Sequence, residues 1–297
     1  MRADMHLHSR YSDGSLWPDR LAQRAATAGL EAACLTDHDT FGGTLEFIEA
    51  ARSLGMASWP AAEIDCADEA TGYRSEILAY FPKGSYAKTK AFLDGIRAGR
   101  NEGVRDAVDR ASRFYGRGAL DFAAVVRHKT ERHPGVGTPD PEAFRLSKVD
   151  IYRAMLAAGL VAQTTGYPAF KRAFFDTGLF SDMKFPKPSV EEVAAAVLAD
   201  GGSLVVPHIG HEFDDDPSAL NRSGRLDSLL SRFRELGVAG VELYAYGKRV
   251  RDGINDIVRQ RAEALGFLVT YGSDFHAPVT GRHRLGAFHG DFAGFPG

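Results

Sequence analysis

Short apolar segments alternate with helical segments at both ends of the chain, and this alternation limits the possible folds more than any other feature. Strands that alternate with helices of about 10–15 residues are typical of a parallel sheet or a β/α barrel. The predicted strands are Ala3–Leu7, Glu31–Thr36, Met56–Ile64, Tyr73–Phe81, Ser203–Pro207, Val238–Tyr244 and Phe267–Tyr271.

The middle of the chain has a different, mainly helical pattern. One long helix is predicted from Tyr86 to about Phe114, and another from Val149 to Ala158. The sequence therefore predicts a helical insertion over residues 84–188. This insertion is expected to interrupt one α/β domain formed by residues 1–83 and 189–297, which a chain of 297 residues can accommodate.

Composition and charge exclude several classes of protein. The chain has 36 Lys and Arg against 39 Asp and Glu, so we expect no stable nucleic-acid partner. No apolar stretch reaches the roughly 18 residues of a membrane span. Cys34 and Cys66 form no disulfide framework, and they predict a reducing, cytoplasmic environment.

Positive charge is concentrated in the predicted insertion. Residues 97–153 contain twelve Lys and Arg against eight Asp and Glu, although the whole chain has a net charge of -3. These cations form either a solvated helical face or a surface that meets an anionic substrate such as a phosphate ester.

Histidines and carboxylates gather at the ends of the predicted strands. His6 and His8 are two residues apart on a strand, so both imidazoles lie on one face and could hold one ion. Alone, each such residue has another explanation: Asp13 suits a turn before Gly14, and Glu76 could point to solvent. The remaining members of the set are His38, Glu63, His208, Asp274 and His276.

Taken together, these side chains predict a multinuclear metal site. Barrel enzymes assemble their active sites at the carboxyl ends of parallel strands. Carboxylates buried close together repel each other, and divalent cations remove that objection. Nitrogen and carboxylate ligands without thiolate suit Zn, Mn or Fe.

These motifs resemble those of the PHP (polymerase and histidinol phosphatase) family over residues 3–82 and 189–278. The resemblance implies a distorted seven-stranded (β/α)7 barrel with up to three metals. The most similar subgroup has an inserted helical domain and includes AMP and 3′,5′-bisphosphate phosphatases. The matching segments are Asp4-Met-His-Leu-His-Ser9, Ser12-Asp-Gly14, Thr36-Asp-His-Asp39, Glu63, Pro207-His208 and Ser273-Asp-Phe-His276.

The resemblance also implies how the ligands are shared. Three sets would each hold one metal: His6, His8, Glu63 and Asp274; Asp13, His38 and His276; and Glu63 with Glu76 and His208. Many relatives have histidine at the position of Glu76. A carboxylate there makes the third set of ligands more anionic and chemically harder. This favours Mn or Fe over Zn at that set, or partial occupancy.

Two further residues are candidates for a catalytic role in attack by a metal-bridging hydroxide on phosphorus. Asp39, with Asp4 and Asp37, is expected to orient ligand histidines. His211 is a candidate general acid because it follows His208 closely, although a plain surface histidine is the simpler interpretation. We find no serine elbow or C-x-x-C motif that would supply a side-chain nucleophile.

Substrate binding is expected from the insertion. Similar phosphoesterases have an Arg-x-His pattern facing the phosphate, and its counterpart here is Lys148-Val-Asp150. Lys148, with Arg145 and Arg153, could bind a phosphate, whereas Asp150 would repel it. This departure leaves the nucleotide substrate open.

The function that the sequence favours is a metal-dependent phosphomonoesterase acting on a small phosphorylated metabolite or nucleotide, with two or three divalent ions. One alternative is a hydrolase of the same fold that cuts an amide or a phosphodiester. The other is a non-catalytic metal-binding domain. The sequence does not determine the oligomeric state.

Overall fold

A computed structural model describes residues 1–116, 118–131, 139–185, 187–213, 224–246, 253–276, 285–286 and 288–295. These residues form a mixed α/β structure, as the alternating pattern predicts. Each of the predicted strands is present, and one further short strand follows near the carboxyl terminus. The strands are β1 (Arg2–Leu7), β2 (Ala32–Leu35), β3 (Ala61–Asp65), β4 (Glu76–Tyr80), β5 (Ser203–Val206), β6 (Gly240–Tyr244), β7 (Leu268–Gly272) and β8 (Gly290–Asp291).

The strands form two sheets that meet at both sides. One sheet has the order β2-β1-β8, and the other has the order β3-β4-β5-β6-β7. On one side, the His8 backbone N–H donates to the Phe275 carbonyl at 3.0 Å, which joins the chain after β1 to the chain after β7. On the other side, a parallel bridge between His38 and Glu63 joins the end of β2 to β3.

Strand β4 corrects the expectation that the neighbouring strands are all parallel. It pairs antiparallel with both β3 and β5, whereas β5-β6 and β6-β7 are parallel. The reason is the short connection from Asp65 to Glu76, since a parallel crossover needs about a dozen residues or more. As a result Glu76, the first residue of β4, lies opposite Asp65, the last residue of β3.

Helices surround the sheets and also form the middle of the chain. The predicted long helix is present as a single element of 29 residues. A π-helical turn at Arg172–Asp176 and 3₁₀ turns at Pro141–Ala143 and Ile209–Phe213 complete the described helical structure. The α-helices are α1 (Pro18–Thr27), α2 (Thr44–Ser53), α3 (Ala87–Tyr115), α4 (Phe122–Thr130), α5 (Lys148–Ala157), α6 (Tyr167–Lys171), α7 (Val190–Ala199), α8 (Arg225–Glu235) and α9 (Ile254–Leu265).

The helices of the middle region pack around an apolar core of their own. Val104 and Val108 of α3 lie in this core with Met155 of α5. Phe170 and Phe180, which follow in the chain, are fully buried in the same core. The sheets pack around separate clusters of apolar side chains.

None of the helices in the described part of the chain combines the length and the apolar character that crossing a bilayer requires.

Candidate metal centre

The structure brings all nine predicted ligand residues together at one end of the sheets. Their ligand atoms form three groups, and within each group the atoms lie within 4.8 Å of one another. Because β4 runs antiparallel, its first residue lies at the same end as the last residues of the parallel strands. The groups are His6, His8, Glu63 and Asp274; His8, Asp13, His38 and His276; and Glu63, Glu76 and His208.

The first group has spacings that suit one small cation. His6 Nε2 and His8 Nε2 are 3.0 Å apart, and Glu63 Oε2 is 3.2 Å from each. Asp274 Oδ1 is 3.5 Å from His6 Nε2 and 3.1 Å from His8 Nε2. Ligands at about 2.0–2.2 Å from a tetrahedral or octahedral ion are about 2.8–3.6 Å apart, so these four atoms fit such an ion.

The second group extends from the same histidine. The rings of His8 and His276 stack with centroids 4.1 Å apart, and His276 Nε2 is 3.2 Å from Asp13 Oδ1. His38 Nε2 is 4.0 Å from the same Asp13 oxygen. Among the described residues, the buried Oδ1 atom of Asp13 has no hydrogen-bond partner. This carboxylate oxygen, which faces His38 and His276, is consistent with a second ion beside the first.

Glu63 connects the first group to the third. Its Oε2 atom faces His6 and His8, whereas its Oε1 atom is 3.4 Å from His208 Nε2. Glu76 Oε2 is 3.9 Å from the same histidine nitrogen. The fully buried Glu63 can therefore offer one oxygen to each of two cations.

The two glutamates of the third group have very different pKa values. Burial alone raises the pKa of Glu63, but the charges of His6 and His38 hold it well below its usual range. Burial and the charge of Glu63 raise the pKa of Glu76 to about 7. Two carboxylates that share a site separate in this way, and a divalent cation would let both ionise.

The backbone is strained at the ends of the site strands. Among the described residues, the non-glycine residues with positive φ are Asp39 at 51°, His208 at 30° and Asp274 at 51°. All three lie at this end of the sheets. Such conformations cost about 1–3 kcal/mol each and persist where the surrounding structure holds them.

Glu242 is a site residue that sequence reasoning missed. It is fully buried on β6, and its Oε2 atom is 2.9 Å from His6 Nδ1. Its Oε1 atom accepts a hydrogen bond from the His208 backbone N–H at 3.2 Å. A carboxylate behind a ligand histidine fixes the ring orientation and raises its basicity. The available signal was a single carboxylate inside the apolar strand Gly240–Tyr244.

The expected roles of three aspartates need correction, because the structure gives each a different partner. Asp4 accepts hydrogen bonds from the backbone of His6 and Ser273, and Asp37 accepts from Ser9 and Ser12. The third, Asp39, pairs with two arginines. The hydrogen bonds of Asp4 and Asp37 fix the loops around the ligands, and none goes to a ligand ring.

Asp39 belongs to a buried cluster of two carboxylates and two guanidinium groups. Its Oδ2 atom is 3.0 Å from Arg100 Nε and 3.4 Å from Arg145 Nε. Asp65 Oδ2 contacts the same arginines, at 2.7 Å from Arg145 Nη2. Asp39 therefore holds the guanidinium groups of two arginines from the middle region beside the candidate metal ligands.

A cleft of 290 Å³ opens beside this cluster and the metal ligand Asp13. Two of the predicted substrate-binding residues, Arg145 and Lys148, line it. The third, Arg153, is not among the described lining residues, and its role in substrate binding stays a prediction. It follows Lys148 by five residues on α5, so its side chain points about 140° away around the helix. Lys187 and Tyr167 complete the polar wall of the cleft.

His211 lies beside the third group. It is exposed, and its ring centroid is 5.4 Å from that of His208 and 5.1 Å from that of Tyr244. The Tyr244 hydroxyl in turn donates to Asp274 Oδ2 at 3.3 Å. His211 is therefore near enough to the ligands for the predicted role in proton transfer, and that role stays a prediction.

Asp150 does not face the cleft as an unpaired charge, which corrects the expected repulsion of phosphate. It is buried and lies 2.9 Å and 3.0 Å from the Nζ atom of Lys129, which is also buried. It also accepts from Ser147 at the start of α5 in a capping box. Lys129 donates to the Ser12 carbonyl as well, so the pair attaches the helices to the loop of Asp13.

The Asp150→Asn variant should be about 3–5 kcal/mol less stable, because it leaves Lys129 buried without its counter-charge. The double variant with Lys129→Met should lose less than the single one. Urea unfolding measures both. Asp182→Asn is the control, since Asp182 pairs with Arg110 on the surface and should change stability by less than about 1 kcal/mol. If Asp150→Asn and Asp182→Asn lowered the free energy of unfolding equally, the proposed pairing of Asp150 with Lys129 would be contradicted.

Comparison with known proteins finds a family model and several sequences to which this chain is similar. The PHP domain family model matches residues 4–121. A 3′,5′-nucleoside bisphosphate phosphatase from Chromobacterium violaceum is 26% identical over 95% of this chain and 90% of its own length. An error-prone DNA polymerase from Nocardia farcinica is 28% identical over 73% of this chain. The match spans only 20% of that polymerase.

Solved structures have the same fold. A predicted metal-dependent phosphoesterase from Bifidobacterium adolescentis has a TM-score of 0.72 and 25% identity, covering 97% of this chain and 92% of that one. A protein from Chromobacterium violaceum described as an amidohydrolase, with bound sulfate and no metal, has a TM-score of 0.71 and 23% identity. It covers 98% of this chain and 92% of that one, and it supports the fold alone.

Proposed function

We propose that this chain, whose residues 4–121 match the PHP domain family model, is a metal-dependent phosphomonoesterase that releases phosphate from a small phosphorylated metabolite or nucleotide. The observation that carries the proposal is the position of three candidate metal-binding groups beside a cleft lined by cations. The bisphosphate phosphatase from Chromobacterium violaceum supports the same chemistry, since the similarity covers almost all of both chains.

We assign a separate role to each group of side chains at the site. When bound, divalent cations would supply an activated water for attack on phosphorus and would neutralise the phosphoryl oxygens. Glu63 belongs to two groups and would help to hold an ion in each, and His8 lies where two groups meet. Glu242 holds the ring of His6, and Arg145 and Lys148 would offer N–H donors to the substrate from the cleft.

The number of ions and their identity are part of the proposal. Three groups of ligand atoms support two or three divalent ions, and nitrogen with carboxylate ligands suits Mn, Fe or Zn. Two carboxylates in the third group favour Mn or Fe there. A cytoplasmic location is also proposed, on the two free buried cysteines Cys34 and Cys66.

The architecture that we propose is a distorted barrel of seven strands, β1 to β7, with a helical insertion. The contacts of β1 with β7 and of β2 with β3 support this closure. The separate apolar core of α3 to α6 supports an insertion over residues 84–188 between barrel segments 1–83 and 189–297.

A substrate screen tests the function. The protein is stripped with a chelator, loaded with Mn²⁺ and assayed for phosphate release from a panel of phosphorylated metabolites and nucleotides. We expect at least one monoester to be hydrolysed, and we expect the chelated protein to be inactive. Hydrolysis of phosphodiesters or amides alone would favour the alternative hydrolases. A lack of activity toward every class of substrate would leave only a non-catalytic metal-binding role.

Lys148 should contribute to substrate affinity. It is the first residue of α5 and lines the cleft, and its Nζ atom lies 4.9 Å from the centre of the Phe175 ring. The Lys148→Ala variant should raise KM for the identified monoester about tenfold, while kcat changes little, because a point charge on phosphate acts in both ground and transition states. The exposed neighbour Lys171, replaced by Ala, is the control. An unchanged KM would remove Lys148 from the site.

A further inference from the structure

Lys187 joins the candidate metal centre to the cleft, and none of the roles described so far uses it. It lies where the chain returns from the helical middle region to the sheets. The backbone there is fixed, because Ala67 N–H donates to the Pro188 carbonyl and Val190 N–H donates to the Ala67 carbonyl, each at 2.9 Å. The side chain of Lys187 therefore extends from a stretch of chain whose backbone is held in place.

The ammonium group contacts both sides of the boundary. Lys187 Nζ donates to the Ser75 carbonyl at 3.0 Å and lies 3.8 Å from Glu76 Oε1 and 3.6 Å from Asp65 Oδ1. The other carboxylate oxygen of Glu76 faces His208 in the third metal group. The two oxygens of Glu76 thus face a metal ligand and a lysine. Lys187 also lines the cleft.

The charges around Lys187 decide what it can do. Arg100 and Arg145 are balanced by the buried carboxylates of Asp39 and Asp65, so these four groups have no net charge. Of the two carboxylates beside Lys187, Asp65 is already paired with both arginines, whereas Glu76 lies 3.8 Å from the ammonium group. A cation held by Glu76 would compete with Lys187 for the same carboxylate and would repel it. An anion in the cleft would attract both and relieve that repulsion.

We propose that Lys187 is a phosphate-binding residue that couples occupancy of the third metal group to occupancy of the cleft. Without an anion, Lys187 stays on Glu76 and weakens cation binding by the third group. With a phosphate group in the cleft, Lys187 contacts the phosphate and leaves Glu76 to the cation. The two binding events therefore strengthen each other, by the same factor in each direction. This inference rests on the proposed function only for the chemical class of the anion.

Binding measurements without turnover test this coupling. The full-length protein and its Lys187→Met and Lys187→Arg variants are titrated with Mn²⁺ by equilibrium dialysis, with and without inorganic phosphate. Phosphate binding to the Mn²⁺-loaded proteins is measured by calorimetry. Lys184→Met is the matched control, because Lys184 is an exposed lysine three residues away.

The expected signature is a pair of changes with opposite sign. Loss of the ammonium in Lys187→Met should strengthen binding of the weakest Mn²⁺ ion about three- to tenfold in the absence of phosphate. The same variant should bind phosphate about tenfold more weakly, and phosphate should no longer strengthen Mn²⁺ binding. Lys187→Arg should retain part of the coupling, and the control should behave as the unmodified protein.

Other outcomes overturn the proposal. A structural role would weaken Mn²⁺ and phosphate binding together in Lys187→Met, and a surface role would change neither. Either result would exclude the coupling. The test is also independent of the reaction. If the protein hydrolyses no phosphate ester, but Lys187→Met binds Mn²⁺ more tightly and phosphate more weakly, the proposed function is refuted and the role of Lys187 is supported.

Discussion

Replacing Glu63 by Gln is expected to reduce phosphoester hydrolysis by more than about a hundredfold, since losing a carboxylate that would bind two ions should exceed the 10–100-fold effect of losing a residue that only supports a ligand. The carboxylate of Glu63 offers one oxygen to the group of His6 and His8 and the other to His208. The amide keeps the shape but removes the charge that two ions would share. Mn²⁺ content after dialysis should therefore fall by at least one ion per chain.

An exposed glutamate provides the control for this experiment. Glu69 lies six residues further along the chain and is exposed, so Glu69→Gln should keep full activity and Mn²⁺ content. Circular dichroism and thermal unfolding report whether each variant is folded. A folded Glu63→Gln protein with unchanged Mn²⁺ content would show that the carboxylate bridges no ions, and the shared centre would have to be abandoned.

The Gly272→Ala variant should weaken metal binding about 10–100-fold without changing any ligand, because it disturbs the carboxylate behind His6. A Cβ atom at this position would lie 1.9 Å from Glu242 Oε2 and 2.5 Å from His6 Cβ. Both neighbours are fully buried, so one of them must move. Overpacking of this kind also costs about 1–3 kcal/mol of stability.

A helix glycine separates the metal effect from a general effect of the substitution. Gly99 lies on the exposed face of α3, and a Cβ there meets no atom within 4 Å. Gly99→Ala should raise stability by up to about 1 kcal/mol and leave Mn²⁺ affinity unchanged. Mn²⁺ titration and urea unfolding of both variants provide the comparison. If Gly272→Ala bound Mn²⁺ as tightly as Gly99→Ala, the contact between Glu242 and His6 would not support the metal site.

The sequence predicts the ligand residues well because their chemistry is local. His6 and His8 show their shared face through their spacing alone, and the residues after each strand reveal which end of the sheets forms the site. The direction of β4 is not visible in its own residues, because an apolar strand has the same pattern in both orientations, and the short connection from β3 was the available signal. The position of Glu76 therefore follows only from the pairing of β3 with β4.

The residues that support the ligands are less visible in the sequence. Glu242 looks like any carboxylate in a strand until the fold places it against His6, which lies 236 residues away. Asp150 looks like an obstacle to phosphate until Lys129, from another helix, is found beside it. Such pairs join distant segments, and a single sequence contains no local pattern that reports them.

Anomalous diffraction from crystals soaked in Mn²⁺ tests the central claim most directly. We expect strong anomalous peaks beside Glu63, at the group that includes His6 and at the group that includes Asp13, with a further, weaker peak at Glu76. Two or three ions in these positions would identify the metal centre. Crystals that show no peak at these side chains under saturating Mn²⁺, or peaks only elsewhere on the protein, would contradict it.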